Sequence, residues 1–167
     1  MNPYYTALPV PTYFEPEIYD KLYNPNTDWV KYFNFTTCLI DDNILTKDKF
    51  YKWLHERHPF KAGGLKMESK TIYNWHTDST RGVCINTLLS SNHGSFTFFR
   101  DNESLNHNLI ELQYYSGSRY LFNNQKDHMV LNYNSSARFV LTTEFLEDKN
   151  KLNYLDLLEE IKQEYTQ

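Results

Sequence analysis

His76 and Asp78 stand two residues apart in the segment Tyr73–Thr80, which reads YNWHTDST. The segment starts aromatic and ends in turn-forming residues, so it is expected to be a strand running into a turn. In a strand, residues i and i+2 project to one face. The imidazole of His76 and the carboxylate of Asp78 would then point together, with Trp75 and Thr77 pointing away. Two such groups on one face are two metal ligands in want of a third. The pair alone does not decide the matter, because a histidine hydrogen-bonded to an aspartate for structural reasons gives the same pattern.

Three histidines lie downstream. His93 falls in the turn SNHG and His107 in the polar loop DNESLNHN, positions that read as exposed loop. His128 follows the turn NNQKD and opens the strand-like HMVLNY, far enough along the chain for a returning strand to stand beside the HTD segment. Two histidines and one carboxylate with open positions form the facial triad that suits non-haem Fe(II). Arg138 opens the next strand, ARFVLTTEF, in which alternation puts Arg138, Val140, Thr142 and Glu144 on one face. A guanidinium fork with a hydroxyl four residues along the same face makes a receptor for a carboxylate. An isolated arginine would more simply form a surface ion pair; beside a triad the carboxylate role is the better reading.

Elements that could position these residues are legible around them. From residue 70 onward, RGVCINTLLS, GSFTFFR, NLIELQYYSG, SRYLFNN, HMVLNY and ARFVLTTEF are short, β-branched and aromatic, and separated by NHG, DNES, SGS, NNQKD and NSSA. Six or seven strands without intervening helices argue for an antiparallel sandwich or jelly roll, and against a doubly wound parallel sheet. Before them, TTCLI reads as a strand ending at Asp41 and Asp42. Thr46 is expected to cap a helix that carries Phe50, Trp53 and Leu54 on one face, with His55 and His58 at its solvated C-terminal end. The first 35 residues hold five of the six prolines and read as an arm packed on the domain, with one short helical pattern at Ile18, Tyr19, Leu22 and Tyr23. At the other end, Leu152, Leu155, Leu158 and Ile161 form a stripe at helical spacing, expected to cover the sheet in preference to serving as an oligomer contact. This divides one domain, 1–167, into an arm (1–37), a supporting strand and helix (38–69), a jelly-roll core (70–146) and a C-terminal helix (147–167).

At 167 residues, 40% hydrophobic and 17% aromatic, the chain suits one domain with a core of its own. The net charge of −4 offers no general basic field, which argues against nucleic acid as a partner. Cys38 and Cys84 are far apart, outside any CxxC, and each lies among apolar residues, as buried thiols would. No stretch approaches the roughly 18 apolar residues of a membrane span. The N-terminal MNPYYTALPVPTYF does not read as a signal peptide, so a cytoplasmic location is expected and Asn34 and Asn134 are not expected to carry glycans.

HTD at 76–78, His128 and Arg138, in this order and on these strands, resemble the 2-oxoglutarate and Fe(II)-dependent dioxygenases, most closely the prolyl-hydroxylase-like branch. LIDDNILTKDKFYKWL is similar to the strand, loop and helix that precede the sheet in that branch, INTLLS stands where its YLN strand runs, and GSRYLFNNQKDHMV resembles its strand, turn and distal-histidine segment. The likeness spans about residues 38–146. It implies a mainly β protein with flanking helices and a double-stranded β-helix (jelly-roll) core. It also implies Fe(II) held by His76, Asp78 and His128, 2-oxoglutarate as co-substrate with its far carboxylate on Arg138 and Thr142, and O2 as oxidant. Position 140 is Val, and Thr142 matches the hydroxylase branch. Leu88 stands where that branch has a tyrosine, so Tyr73 and Asn86 become the expected pocket residues. Asp at 78 leaves no ligand position for a halide. The implied reaction is hydroxylation of a prolyl or other peptidyl side chain, or of a free amino acid, with Arg81, Arg100, Tyr115 and Arg119 as candidates for the substrate mouth. The same residues also allow a non-catalytic jelly-roll module that retains a metal site, or a cupin-like metal enzyme that does not use 2-oxoglutarate.

Overall fold

The computed structural model describes residues 2–11, 15–90, 93–101 and 108–165. In chain order these form β1 (Tyr5–Ala7), α1 (Pro16–Tyr23), β2 (Val30–Tyr32), β3 (Phe35–Ile40), α2 (Asp42–Leu45), α3 (Lys49–Arg57), β4 (Phe60–Met67), β5 (Thr71–His76), β6 (Val83–Leu88), β7 (Ser95–Arg100), β8 (Leu109–Leu112), β9 (Arg119–Asn123), β10 (His128–Asn132), β11 (Arg138–Phe145) and α4 (Tyr154–Glu160). A π-helical turn, Ile161–Tyr165, continues α4. The strands build two antiparallel sheets, one in the order β1-β9-β6-β11-β4-β3-β2 and the other β5-β10-β7-β8. Facing each other, they make a jelly roll, the double-stranded β-helix expected from the sequence.

The alternation of side chains explains why the central strands are apolar throughout. On β6, Val83 and Ile85 face the helices, while Cys84 and Leu88 face the small sheet; on β11, Phe139 and Leu141 face the helices and Val140 the small sheet. The helix side is the larger core. It takes Ile18 and Leu22 of α1, Phe50, Tyr51 and Leu54 of α3, and Tyr154, Leu157, Leu158 and Ile161 of α4 and its π turn. The C-terminal stripe is thus shifted from its expected line: Leu158 and Ile161 are buried, but Leu155 is half exposed and Leu157 takes its place. The other core, between the sheets, includes Phe99, Leu112, Tyr114, Tyr120 and Phe122.

Strand β4, FKAGGLKM, has no clear hydrophobic period, yet it pairs along eight positions with β11 and also with β3. Its glycines serve contact: a Cβ at Gly64 would come within 2.3 Å of Leu22 Cδ2, so the bare backbone is what admits α1. The arm contributes β1, which pairs with β9 and extends the large sheet. Thr46 is not the cap expected for the α3 helix. It closes the preceding turn α2, and Asp48 caps α3 by accepting from the Tyr51 amide (3.1 Å). His58 ends α3 but is not a solvated tip: its Nδ1 meets Glu147 Oε1 at 2.5 Å and its Nε2 meets Glu160 Oε2 at 2.8 Å. Both cysteines are buried free thiols, and burial pushes Cys84 up to about 11. No helix among the described residues is long and apolar enough to cross a membrane.

Candidate functional site

Strands β5 and β10 lie side by side in the small sheet, with His76 and His128 as direct register partners. Two positions further along β10, Val130 pairs with Tyr73, which is three positions along β5. The extra residue is a β-bulge, and it has a consequence for the site. In a regular strand Tyr73 and His76 would face opposite ways, whereas the bulge turns both toward the space between the sheets, with ring centroids 3.9 Å apart.

Asp78 lies beyond the end of β5, so strand alternation is not what aims it. The loop 77–82 is fixed to the β9–β10 turn instead: the Asp78 amide donates to the Asn124 carbonyl (3.0 Å), and Gln125 Nε2 donates to the carbonyls of Asp78 (3.0 Å) and Arg81 (2.7 Å). The carboxylate is thereby presented to both imidazoles. Oδ1 of Asp78 is 3.7 Å from His76 Nε2 and 3.9 Å from His128 Nε2, too long for hydrogen bonds. The three ligand atoms all fall within 4.8 Å of one another.

The ring tautomers follow from the backbone. His76 Nδ1 is 2.6 Å from the Asn74 carbonyl and His128 Nδ1 is 2.8 Å from the Lys126 carbonyl. A carbonyl only accepts, so each Nδ1 carries a proton, and in the neutral ring Nε2 is the lone-pair atom, turned toward Asp78. Burial, and next the neighbouring His76, push His128 down to about 4, which keeps it neutral as a ligand must be. Two imidazole Nε2 atoms and one carboxylate oxygen converge. That donor set fits a divalent first-row metal ion.

A cavity of about 70 Å³ opens beside these groups, several times the volume a single water needs. His76 and His128 line one part of it, Tyr73 and Phe35 a wall, and Asn86, Tyr114 and Arg138 another part. Arg138 is buried. Its Nη2 donates to Thr97 Oγ1 (3.3 Å), its Cζ lies 5.5 Å from the centre of the Tyr114 ring, and its Nε has no hydrogen-bond partner. Among the described residues it pairs with no carboxylate. Burial lowers its pKa and pushes Tyr114 up to about 12. A buried cation without a counter-charge is costly, so the chemistry of this end of the cavity calls for an anion.

The sequence-based candidates are distributed unevenly around this space. His76, His128, Arg138, Tyr73 and Asn86 all line the cavity. Thr142 is buried on the same strand face as Arg138, with its hydroxyl donating to Asn86 Oδ1 (2.6 Å) and accepting from Arg81 Nη1 (3.3 Å). Arg81, expected at the mouth, is one of the residues lining the cavity, and its guanidinium binds Asp78. Arg119, also expected there, is fully buried on the helix side, paired with Asp48 (2.7 Å) and packed against Phe50 and Tyr51. Arg100 pairs with Asp127 and lies over Trp75, and Tyr115 is exposed. His93 is exposed in its turn, and His107 lies outside the described residues. Reasoning from the sequence missed Asn124 and Gln125; the cue for them was an amide-rich turn directly before the candidate histidine.

No protein-family model and no curated protein matches the sequence. Solved structures do share its fold. A prolyl-4-hydroxylase from Pseudomonas putida is 15% identical, with 84% of this chain and 90% of that one covered and a TM-score of 0.60. A 2OG-Fe(II) oxygenase family oxidoreductase from Burkholderia pseudomallei is 9% identical, with 83% and 79% covered and a TM-score of 0.59. A prolyl hydroxylase from Trichoplax adhaerens, solved with a peptide fragment of the hypoxia inducible factor oxygen degradation domain, is 14% identical, with 70% and 64% covered and a TM-score of 0.52. The fold is therefore that of 2OG-Fe(II) oxygenases, including prolyl hydroxylases.

Proposed function

We propose that this chain, acting as one domain, is an Fe(II)- and 2-oxoglutarate-dependent oxygenase that hydroxylates an unactivated C–H bond in a prolyl or other peptidyl side chain or in a free amino acid. The observation that carries this reading is the shared cavity: His76 and His128, two of the three groups of the His76–Asp78–His128 donor set, line the same small space as a buried Arg138 that has no acidic partner among the described residues. A metal site alone would suit many chemistries. A metal site with an unmatched guanidinium beside it suits a co-substrate that chelates at one end and is anionic at the other.

His76 and His128 would hold the metal through Nε2 and Asp78 through Oδ1. Iron held there would supply the oxidation, with 2-oxoglutarate and O2 consumed and succinate, CO2 and a hydroxylated product formed. The protein supplies position and dryness. Arg138 would grip the far carboxylate, Thr142 and Asn86 would shape that end, and Tyr73 with Phe35 would wall the metal side and exclude water. The peptide bound to the Trichoplax neighbour supports a peptidyl substrate for this chain.

The test is direct. Fe(II) and 2-oxoglutarate added without oxygen should produce the visible charge-transfer band of the chelate, and oxygen should then give succinate, faster in the presence of some member of a panel of peptides and amino acids. A protein that shows neither the band nor succinate is not this enzyme.

A further inference from the structure

The two oxygens of Asp78 have very different surroundings. Oδ1 faces the two Nε2 atoms and accepts no hydrogen bond among the described residues. Oδ2 accepts from Arg81 Nε (2.7 Å) and from Asn124 Nδ2 (2.8 Å), and Arg81 Nη2 lies 2.6 Å from it. Three N–H groups on one carboxylate oxygen use up its accepting capacity. The fork of Arg81 is itself held: its Nη1 donates to Thr142 Oγ1, its carbonyl is clamped by Gln125, and its side chain is only 21% exposed.

We propose that Arg81 is a positioning residue: together with Asn124 it keeps Oδ2 of Asp78 engaged, so that this carboxylate meets a metal through Oδ1 alone. The inference rests on the metal reading of His76, Asp78 and His128. Without the fork, the carboxylate is released to rotate and to offer both oxygens. Such a ligand occupies one more position on the ion and is less well placed to bind it, because the rotation must be frozen when the ion arrives.

Co(II), stable in air, is the probe, and its d–d absorption reports coordination number. Arg81→Gln should weaken Co(II) binding roughly 10–100-fold. It should also lower the intensity of the d–d bands, as expected when a ligand is added to the ion. Arg81→Lys, which restores one donor to Oδ2 but not the fork, should recover part of the affinity. Asn124→Ala, a smaller lesion, should shift the spectrum in the same direction by less. If Arg81→Gln and Asn124→Ala lower only the melting temperature while the folded proteins bind Co(II) with wild-type affinity and spectrum, Arg81 is structural and the inference is overturned. A wild-type protein that takes up no Co(II), or whose uptake survives Asp78→Ala, refutes the metal centre itself, and the role of Arg81 falls with it.

Discussion

His76 and His128 are register partners on adjacent antiparallel strands, with imidazole centroids 4.2 Å apart and both Nδ1 atoms turned to backbone carbonyls. A proton on either Nε2 would face the other ring, which is one reason His128 stays neutral. The two lone pairs are therefore held together by the sheet and wait on a cation.

Anaerobic Fe(II) should stabilise the protein. At a concentration about 100 times its Kd the linkage amounts to about 2.7 kcal/mol, which for a chain of this size raises Tm by roughly 5–10 °C. His76→Ala, Asp78→Ala and His128→Ala should each abolish that rise in a thermal melt, and with it succinate formation.

Arg138→Met should separate function from stability. The variant loses the anion receptor, so binding of 2-oxoglutarate should fall by at least about 100-fold, corresponding to a lost charge-assisted bidentate contact of roughly 3 kcal/mol. It also replaces a buried cation that has no counter-charge among the described residues with an apolar chain of similar length. Unliganded stability should hold or rise, by up to about 2 kcal/mol in urea unfolding.

His58 gives the fold a pH dependence of definite sign. Burial would lower its pKa, but the hydrogen bonds its ring donates to Glu160 and Glu147 outweigh this and leave it raised. A group with a raised folded pKa stabilises fully below its unfolded value of about 6.5, and that contribution is lost as pH rises through the folded value. Unfolding free energy should therefore fall across the neutral range toward alkaline pH. His58→Gln should flatten this part of the profile.

Gly82 follows Arg81, and a Cβ there would lie 2.7 Å from the Lys149 carbonyl oxygen and 2.8 Å from that of Leu152. Both are backbone atoms and cannot rotate aside. Gly82→Ala should cost about 1–3 kcal/mol, read as a fall in Tm of several degrees.

What the sequence revealed and what it hid divide along physical lines. The strands after residue 70 were legible from their β-branched and aromatic residues, and β6, β9 and β11 all the more because burial on both faces makes them almost continuously apolar; His128 was distinguished from His93 by opening a strand. β4 was hidden because its glycines and lysines break any period, although its two neighbours in the sheet specify it. The shared direction of His76 and Asp78 was anticipated for a reason the fold does not use: the strand stops at His76, and side chains of a distant turn aim the aspartate. Tyr73 faces the cavity only through a one-residue bulge, which leaves no mark in composition. The roles of Arg81 and Arg119 depended on which sheet face their neighbours joined, a tertiary matter.

The clamp on Asp78 joins residues 46 positions apart, between the turn after β5 and the turn before β10. Closing a loop over that span costs more entropy than the local turns and hairpins do, so the clamp depends on the strands between being in place. A partly folded chain would thus carry all three donor side chains yet lack the arrangement that binds an ion. A metal held by His76, Asp78 and His128 would in this sense be a checkpoint on completeness, since a redox-active cation would be retained only by molecules in which this clamp has formed.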